Sequence, residues 1–198
     1  MKSKPISEAT QNAVLETAWR LIAEKGRVDV SQAEIAAAAG VTRQTVFYAF
    51  GSRNGLLTAM VRHKDATSPA LARLVAEGTK PEFSVEQLFR FVAAWLDYLP
   101  DVFPVGALLD AAAMIDPEAK AAIEDRMVNT LLAGFKRRLG EMEAAGLLRQ
   151  GLAADEAAET LWQAVHFSAW RLLVVERGWT PEAFRNNRMD LIKTMILR

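Results

Sequence analysis

Cysteine is absent from all 198 residues. That excludes a disulfide scaffold, a thiolate metal site and a cysteine nucleophile, and it fits a reducing cytoplasm. Histidine is almost as scarce, with His63 and His166 the only two. Without thiolates, two histidines far apart in sequence give no basis for a metal site or a metal-dependent cofactor. No run reaches about 18 uninterrupted apolar residues, so no membrane span is expected. The opening MKSKPISEATQNAV carries lysines but lacks the apolar core of a signal peptide. Nor is there a nucleophile–base pair, a phosphate loop or a suggestive pair of carboxylates, so an enzyme is not expected. Net charge is missing too: the formal total is zero. Its distribution is uneven, because residues 1–64 hold nine Lys/Arg against five Asp/Glu. A basic first third beside an acidic remainder points to a polyanion-facing end.

What is present reads as helix. About half of the chain is apolar, 51%, and Ala and Leu dominate, with no run of alternating β-branched residues. Leu15, Ala18, Trp19 and Ile22 form one stripe on a helix from Ala13 to Lys25, which Gly26 ends. Ser31-x-x-Glu34 is a capping box that starts a short helix ending at Ala39-Gly40. Thr42 caps a third helix reaching Phe50, and Ser52 caps a fourth from Arg53 to about Lys64. Gly55 in the first turn of the fourth costs about 1 kcal/mol against Ala, so that start reads as weakly specified. After Thr67-Ser68-Pro69 a helical piece is expected to Glu77, followed by a turn at Gly78-Thr79-Lys80-Pro81. Ser84-x-x-Gln87 opens a helix through Tyr98. Pro100 and Pro104 bracket a link, and a further helix spans about Val105 to Ile115. Asp116-Pro117-Glu118 opens a long helix toward Ala145. Another is expected from Asp155 to Arg177, and Thr180-Pro181-Glu182 opens the last.

The stretch AEIAAAAGVTRQTVFYAF, residues 33–50, places two short helices around Gly40, which supplies the positive φ of a tight turn. Ile35, Ala36, Ala39, Val41 and Val46 give each helix a side to bury. Thr42, Arg43, Gln44 and Thr45 then stand at the start of the second helix. In a helix-turn-helix, that end reaches base edges in the major groove. Arg suits guanine, Gln suits adenine, and both donate to phosphate. The same polar run is also compatible with a plain solvated helix start.

Residues from about 11 to 60 resemble the N-terminal domain of TetR-family transcriptional repressors. The matching positions, in order, are Val14-Leu15, Ala18, Leu21-Ile22, Glu24-Lys25-Gly26, Ile35-Ala36, Ala39-Gly40-Val41-Thr42, Val46-Phe47, Phe50, Ser52-Arg53 and Leu56-Leu57. The resemblance implies an all-α fold of about nine helices. An N-terminal three-helix helix-turn-helix domain would occupy residues 1–64, and a helical effector-binding and dimerisation domain residues 65–198. It implies a recognition helix over Thr42–Tyr48, Phe47 included. Thr42, Arg43, Gln44 and Thr45 would touch bases or phosphate, and Tyr48 a backbone phosphate. Arg53, standing where the family usually has Lys, would also face phosphate. Three positions depart from the family pattern. Phe47 replaces a common Tyr, Gln32 an apolar residue, and Arg27 a frequent aromatic after Gly26.

The resemblance further implies that the C-terminal helices enclose an effector pocket and that the last two form a dimer. Phe91, Trp95 and Tyr98 follow helical spacing, as do Trp162, His166 and Trp170. Phe91, Trp95, Trp162, His166 and Trp170 are therefore the candidate ligand-binding residues, with Phe103 and Met114 able to extend the wall. The same stripes are equally what a solid core contains. Asp97 and Asp110, set in apolar segments, are candidates for a polar ligand group. Leu161, Val165, Leu172, Leu173 and Val175, with Phe184, Leu191, Ile192 and Met195, exceed what one helix face buries. Two copies packed as a four-helix bundle would cover them. The expected protein is a cytoplasmic, ligand-responsive repressor. It would bind a palindromic operator in double-stranded DNA as a homodimer and be released by a small, mostly apolar effector, with no cofactor. The alternative is an effector-free DNA-binding or protein-interaction protein of the same fold.

Overall fold

The computed structural model describes residues 6–69, 71–72 and 84–197, and among them every regular element is helical. The expected helix to Glu77 and the turn after it lie mainly outside the described residues. The chain divides into two compact units, one of Met1–Thr67 with Pro104–Arg126, the other of Ser68–Phe103 with Met127–Arg198.

In the first unit, local capping chemistry sets the helix starts. Helix α1, Glu8–Lys25, begins ahead of its apolar stripe because the Ser7 hydroxyl accepts from the Thr10 N–H, and Gly26 ends it at φ 63°. Val14, Leu15, Ala18 and Ile22 are its buried face. Helix α2, Gln32–Ala38, carries the complete capping box. Helix α3, Arg43–Phe50, is capped by Thr42, and α4, Arg53–Ala66, by Ser52. Between α2 and α3, Gly40 sits at φ 68°, and the Val41 N–H reaches back to the Ala36 carbonyl at 3.0 Å, closing the turn. Helix α6, Pro117–Arg126, packs along α4. Arg62 forms a bidentate pair with Asp125 at 2.7 and 2.9 Å, and buried Arg126 pairs with Asp65.

The capping box makes one part of this unit acid-sensitive. Glu34 accepts from Lys25 Nζ at 2.6 Å and from the Ser31 N–H at 2.8 Å. The Lys25 hydrogen bond first, then those of Ser31, hold its pKa down at about 2 against an ordinary 4.5. A depressed carboxylate pKa adds stability that is complete above the unfolded value and is lost as pH falls through the folded one. Glu34→Gln is therefore expected to lower the melting temperature at neutral pH. The deficit should shrink below about pH 4.5 and vanish near pH 2, and a deficit independent of pH would refute the assignment.

Helix α5, Val85–Ala112, belongs to the second unit as far as Phe103 and to the first from Pro104 onward. It runs unbroken through Pro100 and Pro104, where the sequence pattern suggested a link. Each interior proline costs about 3 kcal/mol. Both lie on the exposed side, while Val92, Trp95, Leu96, Leu99, Val102, Val105 and Leu109 are buried. At about 1.5–3 kcal/mol for each such side chain, burial outweighs the two missing hydrogen bonds. By length and composition α5 would pass as a membrane span, but half of its most apolar window is buried in the protein, as in a core helix.

The second unit continues from α6 through a π-helical stretch, Met127–Leu132, into α7, Ala133–Ala144. The long helix expected toward Ala145 is therefore continuous but changes pitch. Helix α8, Ala154–Ala164, does not reach Arg177 as expected. His166 adopts an extended conformation, φ −71° and ψ 158°, and its Nδ1 accepts from the Ser168 N–H. It acts as an N-cap inside the apolar run and restarts the chain as α9, Phe167–Trp170, which passes into a second π-helical stretch, Arg171–Val175. Thr180 caps α10, Pro181–Ile196. Joined end to end, these elements make nine continuous helical segments among the described residues.

Candidate nucleic-acid interface

Helix α3 has two unlike faces. Val46 is fully buried, whereas Phe47 and Tyr48 are 57% and 60% exposed. Thr42, Arg43 and Gln44 are exposed and Thr45 half-buried. The Thr42 hydroxyl accepts from the Thr45 N–H at 3.1 Å and shares a 2.8 Å hydrogen bond with the Thr45 hydroxyl. Thr42 is thus first a helix cap. Gln44 Nε2 donates to the Tyr48 hydroxyl at 3.0 Å, which aligns the two along the outer face. The Phe47 and Tyr48 rings stand edge to face, 6.4 Å apart.

The charges around this helix are mostly spent internally. Lys25 is bound to Glu34, Arg27 to Asp29 and Glu34, Arg20 to Glu24 and Arg62 to Asp125. Lys64 lies over the Trp19 ring. Arg43 is different: among the described residues it makes no ion pair or hydrogen bond through its side chain.

Arg53 has internal partners that local sequence patterns do not indicate. One terminal nitrogen donates to Asp116 at 2.8 Å and to Glu118 at 3.1 Å, and the other to the Val28 carbonyl at 2.7 Å. Burial acts to lower its pKa, but the hydrogen bonds to Glu118 and Asp116 outweigh this and raise it. Glu118 also accepts from the Asn54 N–H at 3.3 Å. A guanidinium with three internal acceptors ties α4 to the start of α6. The unusual Gln32 reaches the Gly51 carbonyl, at 3.5 Å.

A short α2 buried through Ile35 and Ala36, a turn on a left-handed glycine and an outward polar start to α3 define a helix-turn-helix. Residues 14–60 match the family model of bacterial regulatory proteins, tetR family. That stretch is a TetR-family DNA-binding segment. The chain is 28% identical over 182 residues to the HTH-type transcriptional regulator CymR of Pseudomonas putida, covering 91% of this chain and 85% of CymR. A transcriptional regulator of Saccharomonospora viridis, solved in complex with choline, superposes with a TM-score of 0.75 at 25% identity, over 97% of this chain and all of that one. NalD of Pseudomonas aeruginosa, the secondary repressor of the MexAB-OprM multidrug efflux pump, shares the fold at 21% identity and a TM-score of 0.72, over 96% and 97% of the two chains. These relatives are transcriptional regulators, not enzymes.

In the second unit the five candidate ligand residues do not form a single wall. Trp95 is fully buried, and its Nε1–H donates to the Val165 carbonyl at 3.0 Å. Its ring meets Tyr98 and Phe167. Trp162 and His166 are neighbours 5.0 Å apart, and His166 also meets Phe167, so these join the Trp95 cluster through that ring. Trp162 Nε1–H donates to the Met127 carbonyl at 2.9 Å, at the start of the first π-helical stretch. Trp170 packs elsewhere, between Phe103 and Phe184. Phe91 meets Phe135 edge-on at 5.5 Å and lies under the guanidinium of Arg138. Met114 is 89% exposed and extends no wall, and Asp97 is exposed and paired with Arg185 at 2.7 Å.

The sequence reading passed over Arg138, yet the signal was there. Phe135, Arg138, Leu139 and Met142 are the buried residues of α7, spaced i, i+3, i+4 and i+7. An arginine therefore occupies a position on an apolar stripe.

Proposed function

We propose that the protein is a dimeric repressor that binds a two-fold symmetric operator through α3 and is released by a small-molecule effector held in the second unit. The observation carrying the DNA-binding part is the outer face of α3, where Arg43 has no internal partner among the described residues and Gln44 and Tyr48 are aligned beside it. Thr42, Thr45 and Phe47 complete that face, and Arg53 supports it from behind. Residues 1–64 supply the DNA-binding domain and the remainder the effector and dimer functions, in the cytoplasm. The choline bound to one relative supports a small-molecule effector. Effector and operator affinities would then be coupled reciprocally. The exposed Leu172, Val175 and Leu191, at 45%, 59% and 44%, favour a second copy packed along α10 and the second π-helical stretch.

Selection of bound DNA from random duplexes tests this reading. A palindromic sequence is the expected product, with half-sites a whole number of helical turns apart. On that DNA, Gln44→Ala should cost about 1–3 kcal/mol and relax preference at one base pair. Arg43→Ala should reduce the log–log salt slope by about 0.9 per half-site. Arg53→Ala should leave that slope unchanged and lower the melting temperature instead. Leu191→Asp should sediment as a monomer and lose cooperative binding to both half-sites. Equal affinity for random and selected DNA, or a wild type that is monomeric at micromolar concentration, would overturn the reading. The close fit of Trp95 among Tyr98, Phe167 and the Val165 carbonyl favours a second reading, in which that cluster is core and the DNA binder takes no effector there.

A further inference from the structure

We propose that Arg138 is an anion-binding residue and that the effector is an organic acid. Its carboxylate would pair with the Arg138 guanidinium while its apolar body meets Phe91 and Phe135. The proposal rests on the effector-responsive reading above and names the ligand class.

Arg138 is only 6% exposed, on the buried stripe of α7 among Phe135, Leu139 and Met142. Among the described residues it has no ion pair and no side-chain hydrogen bond, and its one specific contact is with the Phe91 ring, 5.3 Å from the guanidinium carbon. The other buried arginine, Arg126, has Asp65. The neighbouring charges leave Arg138 uncompensated. Burial first, then the positive charge of Arg137, lowers its pKa, and the opposing attraction of Glu141 is the smallest of the three influences. A lysine so placed could shed its proton, but a guanidinium cannot. The guanidinium nitrogens are not wholly sealed from solvent, and a cation so little exposed, with unused donors, gains from an anion that reaches it.

The surroundings select the kind of anion. The guanidinium fork matches both oxygens of a carboxylate. One cation against two aromatic rings suits a monoanion with an apolar body. A phosphate dianion would bring a second, unpaired charge into the same apolar surroundings.

The test uses the full chain without DNA, by calorimetry and thermal unfolding. The probes are benzoate, phenylacetate and octanoate, each against its neutral amide. At least one acid should bind and raise the melting temperature of the wild type. Its amide should bind about tenfold more weakly or worse, and Arg138→Gln should lose about 10- to 100-fold in affinity for the acid while the amide is unaffected. Arg138→Met, without ligand, should unfold at or above the wild-type temperature, because an unpaired buried charge gives way to an apolar chain. A clearly less stable Arg138→Met would overturn the proposal by showing that the cation serves the fold. Amides that bind as well as the acids, or no acid shifting the melting temperature at about 10 mM, would overturn it too. Operator release is measured separately. An acid that binds at Arg138 but leaves operator affinity untouched sinks the repressor reading and spares the anion site. Amides that bind and release DNA do the reverse.

Discussion

Trp95→Ala is expected to lower the unfolding free energy by about 3–5 kcal/mol, the usual cost of truncating a fully buried Trp. Two losses combine. The first is packing, since the ring has no exposed surface and meets Tyr98 at 6.0 Å and Phe167 at 6.2 Å between centroids. The second is polar. The Val165 carbonyl stands at the break between α8 and α9, and the indole N–H is its side-chain donor at 3.0 Å. Leaving such a buried acceptor unpaired costs about 1–3 kcal/mol. Trp95→Phe largely separates the two, because it keeps much of the ring volume while removing the donor. Its deficit should be near the lower figure. Urea unfolding of the three proteins checks this. If the Ala and Phe variants are equally stable, the ring is not the packing anchor described here, and the space beside it already accommodates the loss.

The helix starts were legible because capping is local. Ser31, Thr42, Ser52, Asp116 and Thr180 each act within three residues of their own position, and each caps where the sequence placed it. The turn at Gly40 was legible for the same reason. What failed was non-local. Pro100 and Pro104 signal a break by local rules, and only the burial of the opposite face of α5 overrides them. His166 read as a candidate ligand residue within one continuous helix, not as the point where that helix breaks. Beside the break that it caps, the Val165 carbonyl is taken up by Trp95, seventy residues earlier in the chain. The acid partners of Arg53, Asp116 and Glu118, lie more than sixty residues away and no local pattern announces them. The same pairing logic narrows the basic excess, among the described residues, toward Arg43 on the outer face of α3. Arg20, Lys25, Arg27, Arg53 and Arg62 have acids that charge counting cannot assign to them, and Lys64 lies over Trp19.

Gly55→Ala is expected to destabilise the first unit by about 1–3 kcal/mol or more, the cost of forcing atoms into filled space. Helix propensity alone argues the opposite sign, since Ala in a helix is favoured over Gly by about 1 kcal/mol. The structure decides between them. A Cβ on Gly55 would fall well inside contact distance of the Phe50 carbonyl oxygen and 3.3 Å from its carbonyl carbon. Neither is the movable end of a side chain. Both are backbone, held where α3 ends, with the Gly51 N–H bonded to the Phe47 carbonyl at 2.7 Å and Gly51 at φ 69°. Relief would require moving the α3–α4 turn, and with it the Ser52 cap, whose hydroxyl accepts from the Gly55 N–H at 3.1 Å. Gly55 is thus specified by the close approach of two backbones, not tolerated as a weak helix start. Because α3 ends at that turn, Gly55→Ala should weaken operator binding as well as stability, although the glycine itself offers DNA no side chain. Thermal unfolding and operator titration of the same variant provide the check, and a melting temperature at or above wild type would restore the propensity argument.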